Sequence, residues 1–157
     1  MLALPDYTQL SLAEQIAQMI VVRASGYSFD HQIRFPQWEP SNQALERWIR
    51  DLKVGGVILL GGSAIEIAER THQLQDWSDI PLLMAADIEE GVGQRFSGAT
   101  GFPPPMALGE IAKIDLPLAK EYARKMGEVT AQEASALGLN WVLAPVVDVN
   151  NNPDNPV

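Results

Sequence analysis

Pro81-Leu82-Leu83-Met84-Ala85-Ala86-Asp87-Ile88-Glu89-Glu90-Gly91-Val92-Gly93-Gln94-Arg95-Phe96 turns abruptly from apolar to charged. Leu82–Ala86 is an apolar run of strand length. Such a run fits a strand covered on both faces, the usual state of a parallel sheet. Asp87 then stands at the C-terminal end of that strand. Glu89, Glu90 and Arg95 follow it. Barrels of parallel strands and helices build their sites at strand C-terminal ends. Gly91 and Gly93 permit the sharp turns that a binding loop needs. A plain strand with a solvated acidic loop fits the spacing equally well.

The flanking sequence repeats the strand and separates the copies with helices. Ser11 and Glu14 form a capping box, with Leu12, Ile16 and Met19 at helical spacing. Ile20–Val22 reads as a first strand closed by Arg23. Gly26–Pro40, with Tyr27, Phe29, Phe35 and Trp38, reads as a long ordered loop, a frequent home of function. Ser41 caps an expected helix over 42–52, with Leu45, Trp48, Ile49 and Leu52 inward. Val54–Leu60 reads as a second buried strand. Ser63 and Glu66 cap a helix running to about Gln75, with Ile67, Thr71 and Leu74 inward. After Phe102–Pro105 comes a short helix over 106–111. Asp115 and Pro117 then open a long one ending at Gly138. Leu118, Tyr122, Met126, Val129 and Leu137 share one face of it. Trp141–Val147 is a fourth strand with Asp148 at its end, and Asn150–Pro156 is a loop.

This alternation predicts an α/β fold with right-handed crossovers and a parallel sheet. Two closed solutions compete, a doubly wound sheet and a (β/α)8 TIM barrel. A barrel needs eight strands and about 250 residues. The 157 residues supply four strands, so a barrel reading makes the chain its N-terminal half.

The net charge of −9 and the lack of a basic run argue against nucleic acid as a partner. The chain has no cysteine, hence no disulfide framework and no thiolate metal site. MLALPDYTQL lacks a basic region followed by a long apolar one. No apolar run reaches the roughly 20 residues of a membrane span. A cytoplasmic protein without a membrane span is the expectation.

Gly55-Gly56 and Gly61-Gly62 lie outside any dinucleotide or Walker pattern, so no nucleotide cofactor is expected. Asp87 and Glu89 resemble a hard-cation pair but lack a third ligand, so no metal is expected. His31 and His72 read as surface or packing histidines. No nucleophile elbow is present. Trp38 is the tryptophan placed to stack on a sugar ring. Asp87, Arg95 and Asp148 remain, all near strand ends. A carboxylate accepts hydrogen bonds from hydroxyl groups, so this set suits a neutral polyhydroxylated ligand.

Four segments resemble the N-terminal barrel domain of glycoside hydrolase family 3: Val54–Leu60 (VGGVILL), Pro81–Phe96, Phe102–Gly109 (FPPPMALG) and Leu137–Val157 (LGLNWVLAPVVDVNNNPDNPV). The resemblance runs from about Leu10 to Val157. FPPPMALG looks more like the bacterial β-N-acetylhexosaminidase branch than the β-glucosidase branch. The resemblance implies a TIM barrel, of which residues 1–157 are the N-terminal part, and a retaining exo-β-glycosidase. The implied product is terminal β-N-acetylglucosamine from cell-wall fragments. A β-glucosidase of the same family is the nearest alternative. A non-catalytic saccharide-binding module is the alternative of another class.

The resemblance also implies roles. Asp87 opens the D-x-E-G-G-x-x-Q-R-F pattern and matches the aspartate that grips hydroxyls of the terminal sugar. Arg95 matches its arginine partner. Glu89 and Asp148 match supporting positions. Glu90, Val92 and Gly93 depart from the pattern. The family's nucleophile and acid/base lie on later strands, so the resemblance implies no catalytic residue in this chain and no cofactor. It implies instead a small saccharide as partner, a need for the C-terminal half of the barrel, and no turnover by the 157 residues alone.

Overall fold

The computed structural model of the protein describes residues 6–149, 151, 152 and 154. Its strands are β1 (Val21–Ser25), β2 (Gly56–Leu60), β3 (Leu83–Ala86) and β4 (Trp141–Val142). Its α-helices are α1 (Leu12–Gln18), α2 (Asn42–Arg50), α3 (Ala64–Asp76), α4 (Met106–Ile114) and α5 (Leu116–Ala136). The sheet order is β1-β2-β3-β4, and every pairing is parallel. A doubly wound sheet reverses its growth partway and places its first strand inside. The strictly sequential order, with β1 at an edge, selects the singly wound, barrel-like solution.

Register assigns the two faces. Val22, Val57 and Met84 stand side by side, as do Arg23, Ile58, Ala85 and Trp141. Residues in register share a face, and neighbours along a strand alternate. Ala24, Val57, Leu59, Met84 and Ala86 therefore point one way. They form the core with Leu45 and Ile49 of α2, Ile67 and Leu74 of α3, and Ala134 of α5. Each fully buried leucine or isoleucine contributes about 1.5–3 kcal/mol. The opposite face is more open: Val21 is 36 %, Leu83 46 % and Trp141 39 % exposed. The expectation that β3 is covered on both faces thus holds fully on the helix side, while on the other face Ala85 is buried and Leu83 is half exposed. Right-handed crossovers put all helices on one side, and a barrel's inner face is filled only by strand side chains.

Arg23 lies on this inner face. Its Nη2 pairs with Glu39 Oε1 at 3.1 Å, and its guanidinium sits 5.6 Å from the centre of the Phe35 ring. The Glu39 side chain is buried, so the pair ties the long loop to β1. This is why β1 runs through Arg23 to Ser25 instead of closing there. The arginine is partnered within the fold and does not mark a solvated stop.

The helix starts follow the sequence. Ser11–Glu14 and Ser63–Glu66 are reciprocal capping boxes, and Ser41 and Asp115 cap α2 and α5. The inward faces follow it less well. Leu52, expected inside, lies past the end of α2 and is 51 % exposed. Leu12, Ile16 and Met19 are exposed, and Ala17 is the buried residue of α1. On α5 the buried residues are Ala119 and Ala134, while Tyr122 faces a groove shared with α4. The helix rests on α4 and on the 3-10 turn Val92–Gln94.

β4 is shorter than the expected 141–147. Leu143 N–H still donates to the Ala86 carbonyl at 3.0 Å, but residues 143–149 then run exposed. β3 is the one strand partnering β4 among the described residues. Residues 1–5 of the expected N-terminal reading lie outside the described residues, as do Asn150, Pro153, Asn155 and Pro156 of the expected tail loop. Among the described residues no helix is long and apolar enough to cross a membrane.

Candidate functional site

β3 is anchored at its start by side chains. Gln75 accepts from Leu82 N–H and donates to the Leu82 carbonyl, each at 3.0 Å. Asn140 accepts from Met84 N–H at 2.8 Å and donates to the Leu82 carbonyl at 3.1 Å. These bonds satisfy backbone groups at the edge of the ladder, where an unpaired buried group costs about 1–3 kcal/mol. They also fix the strand that delivers Asp87.

Asp87 is the first residue beyond β3. Arg95 returns to it from the end of the loop. Its Nε donates to the Asp87 carbonyl at 2.7 Å, and its Nη2 donates to Asp87 Oδ2 at 2.5 Å. The two side chains are 34 % and 33 % exposed, so the pair is packed below and open above. Ile88, Val92 and Phe96 are fully buried beneath the loop and hold it to the core.

The loop between them is built on glycine and one amide. Gln94 Oε1 accepts from Glu89 N–H at 2.7 Å and from Glu90 N–H at 3.2 Å. Gly91 has φ +83°, a left-handed value that glycine adopts without steric cost. A Cβ there would also lie 2.6 Å from the Thr100 carbonyl oxygen and from the Phe102 ring. At Gly93 a Cβ would lie 2.5 Å from the Ala99 carbonyl oxygen. The loop therefore packs against residues 99–102 at a distance that only glycine allows.

Glu89 sits beside this pair. Burial pushes its carboxyl above the usual carboxylate range, the neighbouring Asp87 carboxylate adds to the shift, and Arg95 opposes it. The site thus holds a guanidinium-bound carboxylate next to a carboxyl that protonates more readily. Both carboxyl groups present oxygens that accept hydrogen bonds from hydroxyl groups.

Asp148 is not bonded to this cluster. It is exposed, and it makes no side-chain hydrogen bond or ion pair to Asp87 or Arg95. His31 stacks on Phe29 with ring centres 5.7 Å apart, and His72 is exposed on α3. Trp38 is 66 % exposed on the long loop. Among the described residues no three His, Asp or Glu side chains converge as metal ligands would. A groove of about 380 Å³ between α4 and α5, lined by Phe102, Leu108, Tyr122 and Met126, includes none of the Asp87, Glu89 and Arg95 cluster.

Sequence reading missed Glu133 of α5 and Thr100, the residue that Glu133 holds beside the loop. Their separation of 33 residues leaves no local pattern to find. The Arg23–Glu39 pair was missed for the same reason.

Comparison with known proteins agrees with this geometry. The description "Glycosyl hydrolase family 3 N terminal domain" matches residues 11–157. A beta-N-acetylglucosaminidase/beta-glucosidase of Cellulomonas fimi is 37% identical over 108 residues, which is 69% of this chain and 18% of that protein. A beta-hexosaminidase of Nitrosomonas eutropha is 39% identical over 101 residues, 62% of this chain and 29% of that protein. Among solved structures, the beta-glucoside phosphorylase BglX bound to 2FGlc superposes with a TM-score of 0.75 at 28% identity, covering 96% of this chain and 24% of that one. The chain thus spans less than a third of the length of each of these relatives. With sequential parallel strands, the aspartate–arginine loop after the third of them, and a family match over nearly the whole chain, the protein belongs to glycosyl hydrolase family 3 and forms part of its N-terminal barrel domain.

Proposed function

We propose that this chain carries part of the terminal-sugar subsite of a retaining exo-β-glycosidase that releases terminal β-N-acetylglucosamine. The observation that carries the reading is the Asp87–Arg95 pair. Oδ2 is fixed by the guanidinium, and the carboxylate stays one-third exposed at the end of β3. A pre-oriented carboxylate binds vicinal hydroxyls without first losing side-chain freedom. Asp87 is assigned to binding. Retaining hydrolysis needs a nucleophile and an acid/base across one glycosidic bond, and no residue of this chain is assigned to either role.

The names of the relatives favour a hexosaminidase and keep a β-glucosidase as the second reading, since the Cellulomonas fimi protein carries both activities in its name. The phosphorylase among the structural relatives adds phosphate as an acceptor to be tested beside water. The test is hydrolysis of 4-nitrophenyl β-N-acetylglucosaminide and β-glucoside by the complete gene product, with and without phosphate. Faster turnover of the N-acetylglucosaminide supports the first reading, faster turnover of the glucoside the second. Turnover of neither, with saccharide binding retained, would replace both with a binding module.

A further inference from the structure

The loop that carries Arg95 is braced from outside. Gly93 N–H donates to the Thr100 carbonyl at 2.8 Å, and Phe102 N–H donates to the Glu90 carbonyl at 2.7 Å. The brace, residues 99–102, has no regular secondary structure of its own. Glu133 on α5 holds it. Glu133 Oε2 accepts from Thr100 N–H at 2.9 Å, and Oε1 accepts from the Thr100 hydroxyl at 2.6 Å. Both oxygens of one carboxylate are thus committed to the residue whose carbonyl fixes the loop. Bonds to an ionised acceptor are about twice as strong as neutral ones. The line of bonds runs from Glu133 to Thr100 to Gly93, and Arg95 lies two residues on, bound to Asp87.

We propose that Glu133 is a positioning residue for the sugar subsite. It acts through Thr100 and the glycine loop to set Arg95, and through Arg95 to set Asp87. The inference rests on the reading of Asp87 and Arg95 as sugar-binding residues. Glu133 touches no substrate, so its effect must pass through that loop.

The test measures KM and kcat of the complete gene product on 4-nitrophenyl β-N-acetylglucosaminide. Glu133→Ala is expected to lower kcat/KM about tenfold, mainly through KM, the equivalent of one lost charge-assisted bond. Glu133→Gln is expected to stay within about twofold of the parent. Its amide oxygen accepts from Thr100 N–H, and its NH2 donates to the rotated Thr100 hydroxyl. In an Arg95→Ala background, Glu133→Ala is expected to add less than about twofold, because its route to the sugar is already gone. Thr100→Val, which loses one of the two bonds, reports on the same route if Glu133→Ala fails to fold, with an expected rise in KM of about threefold.

Gln behaving like Ala at position 133, or a full tenfold effect surviving in the Arg95→Ala background, would overturn the positioning role. If Asp87→Ala and Arg95→Ala raise KM while Glu133→Ala and Thr100→Val do not, the positioning role alone falls. If Asp87→Ala and Arg95→Ala leave KM unchanged, the sugar-site reading falls and takes this inference with it.

Discussion

Arg95 binds Asp87 twice, through Nε to the backbone carbonyl at 2.7 Å and through Nη2 to Oδ2 at 2.5 Å. The arginine therefore fixes the aspartate's main chain and side chain together. A lysine ammonium is a compact point charge on a flexible stem and cannot reproduce that fork. Arg95→Lys is expected to lower kcat/KM of the complete gene product about 10- to 100-fold despite the retained charge. Steady-state kinetics on the N-acetylglucosaminide check this.

Gly91→Ala tests the loop's packing. The substitution places a Cβ at φ +83° and 2.6 Å from the Thr100 carbonyl oxygen. Left-handed backbone and a backbone clash together are expected to cost about 1–3 kcal/mol or more. Gly98→Ala shares the positive φ, at +91°, but meets nothing within 4 Å. It is expected to cost less, so urea unfolding of the two variants separates strain from collision.

Glu89 gives a pH signature. Its carboxyl is raised in the folded state by burial first and by Asp87 second. A raised carboxyl stabilises the fold at low pH, and that contribution is lost as pH rises through the folded value. Glu89→Gln is therefore expected to be more stable than the parent at neutral pH. The difference should vanish below the unfolded glutamate value of about 4.3. Thermal unfolding from pH 4 to pH 7.5 reads both ends.

Gln75→Ala probes the anchor of β3. It removes both bonds to Leu82, a residue 1 % exposed, and leaves a buried N–H short of its partner. An expected loss of about 2 kcal/mol follows from the cost of unsatisfied buried groups. Denaturant titration checks the value.

The fold was legible where local physics decides it. Ser11, Ser41, Ser63 and Asp115 mark helix starts because capping is a matter of three residues. Leu82–Ala86 marks its strand because a buried run is apolar. The choice between barrel and doubly wound sheet needed strand order, which no local pattern encodes. Asp87 was legible from its place at the end of the apolar run and Arg95 as its partner from the family pattern, while the two-bond fork between them was not, since it depends on how the loop folds back. Arg23 was misread because its partner Glu39 comes from a loop with no periodicity. Leu83 was misread because coverage of the inner face depends on strands far away in sequence.

The most direct test of the central claim compares wild-type and Asp87→Ala forms of the complete gene product on 4-nitrophenyl β-N-acetylglucosaminide. The account predicts turnover by the wild type and a loss of about 100-fold or more in kcat/KM for Asp87→Ala, as expected for charge-assisted bonds to sugar hydroxyls worth about 1.5–3 kcal/mol each. An Asp87→Ala enzyme that is folded and within about twofold of wild type would contradict it.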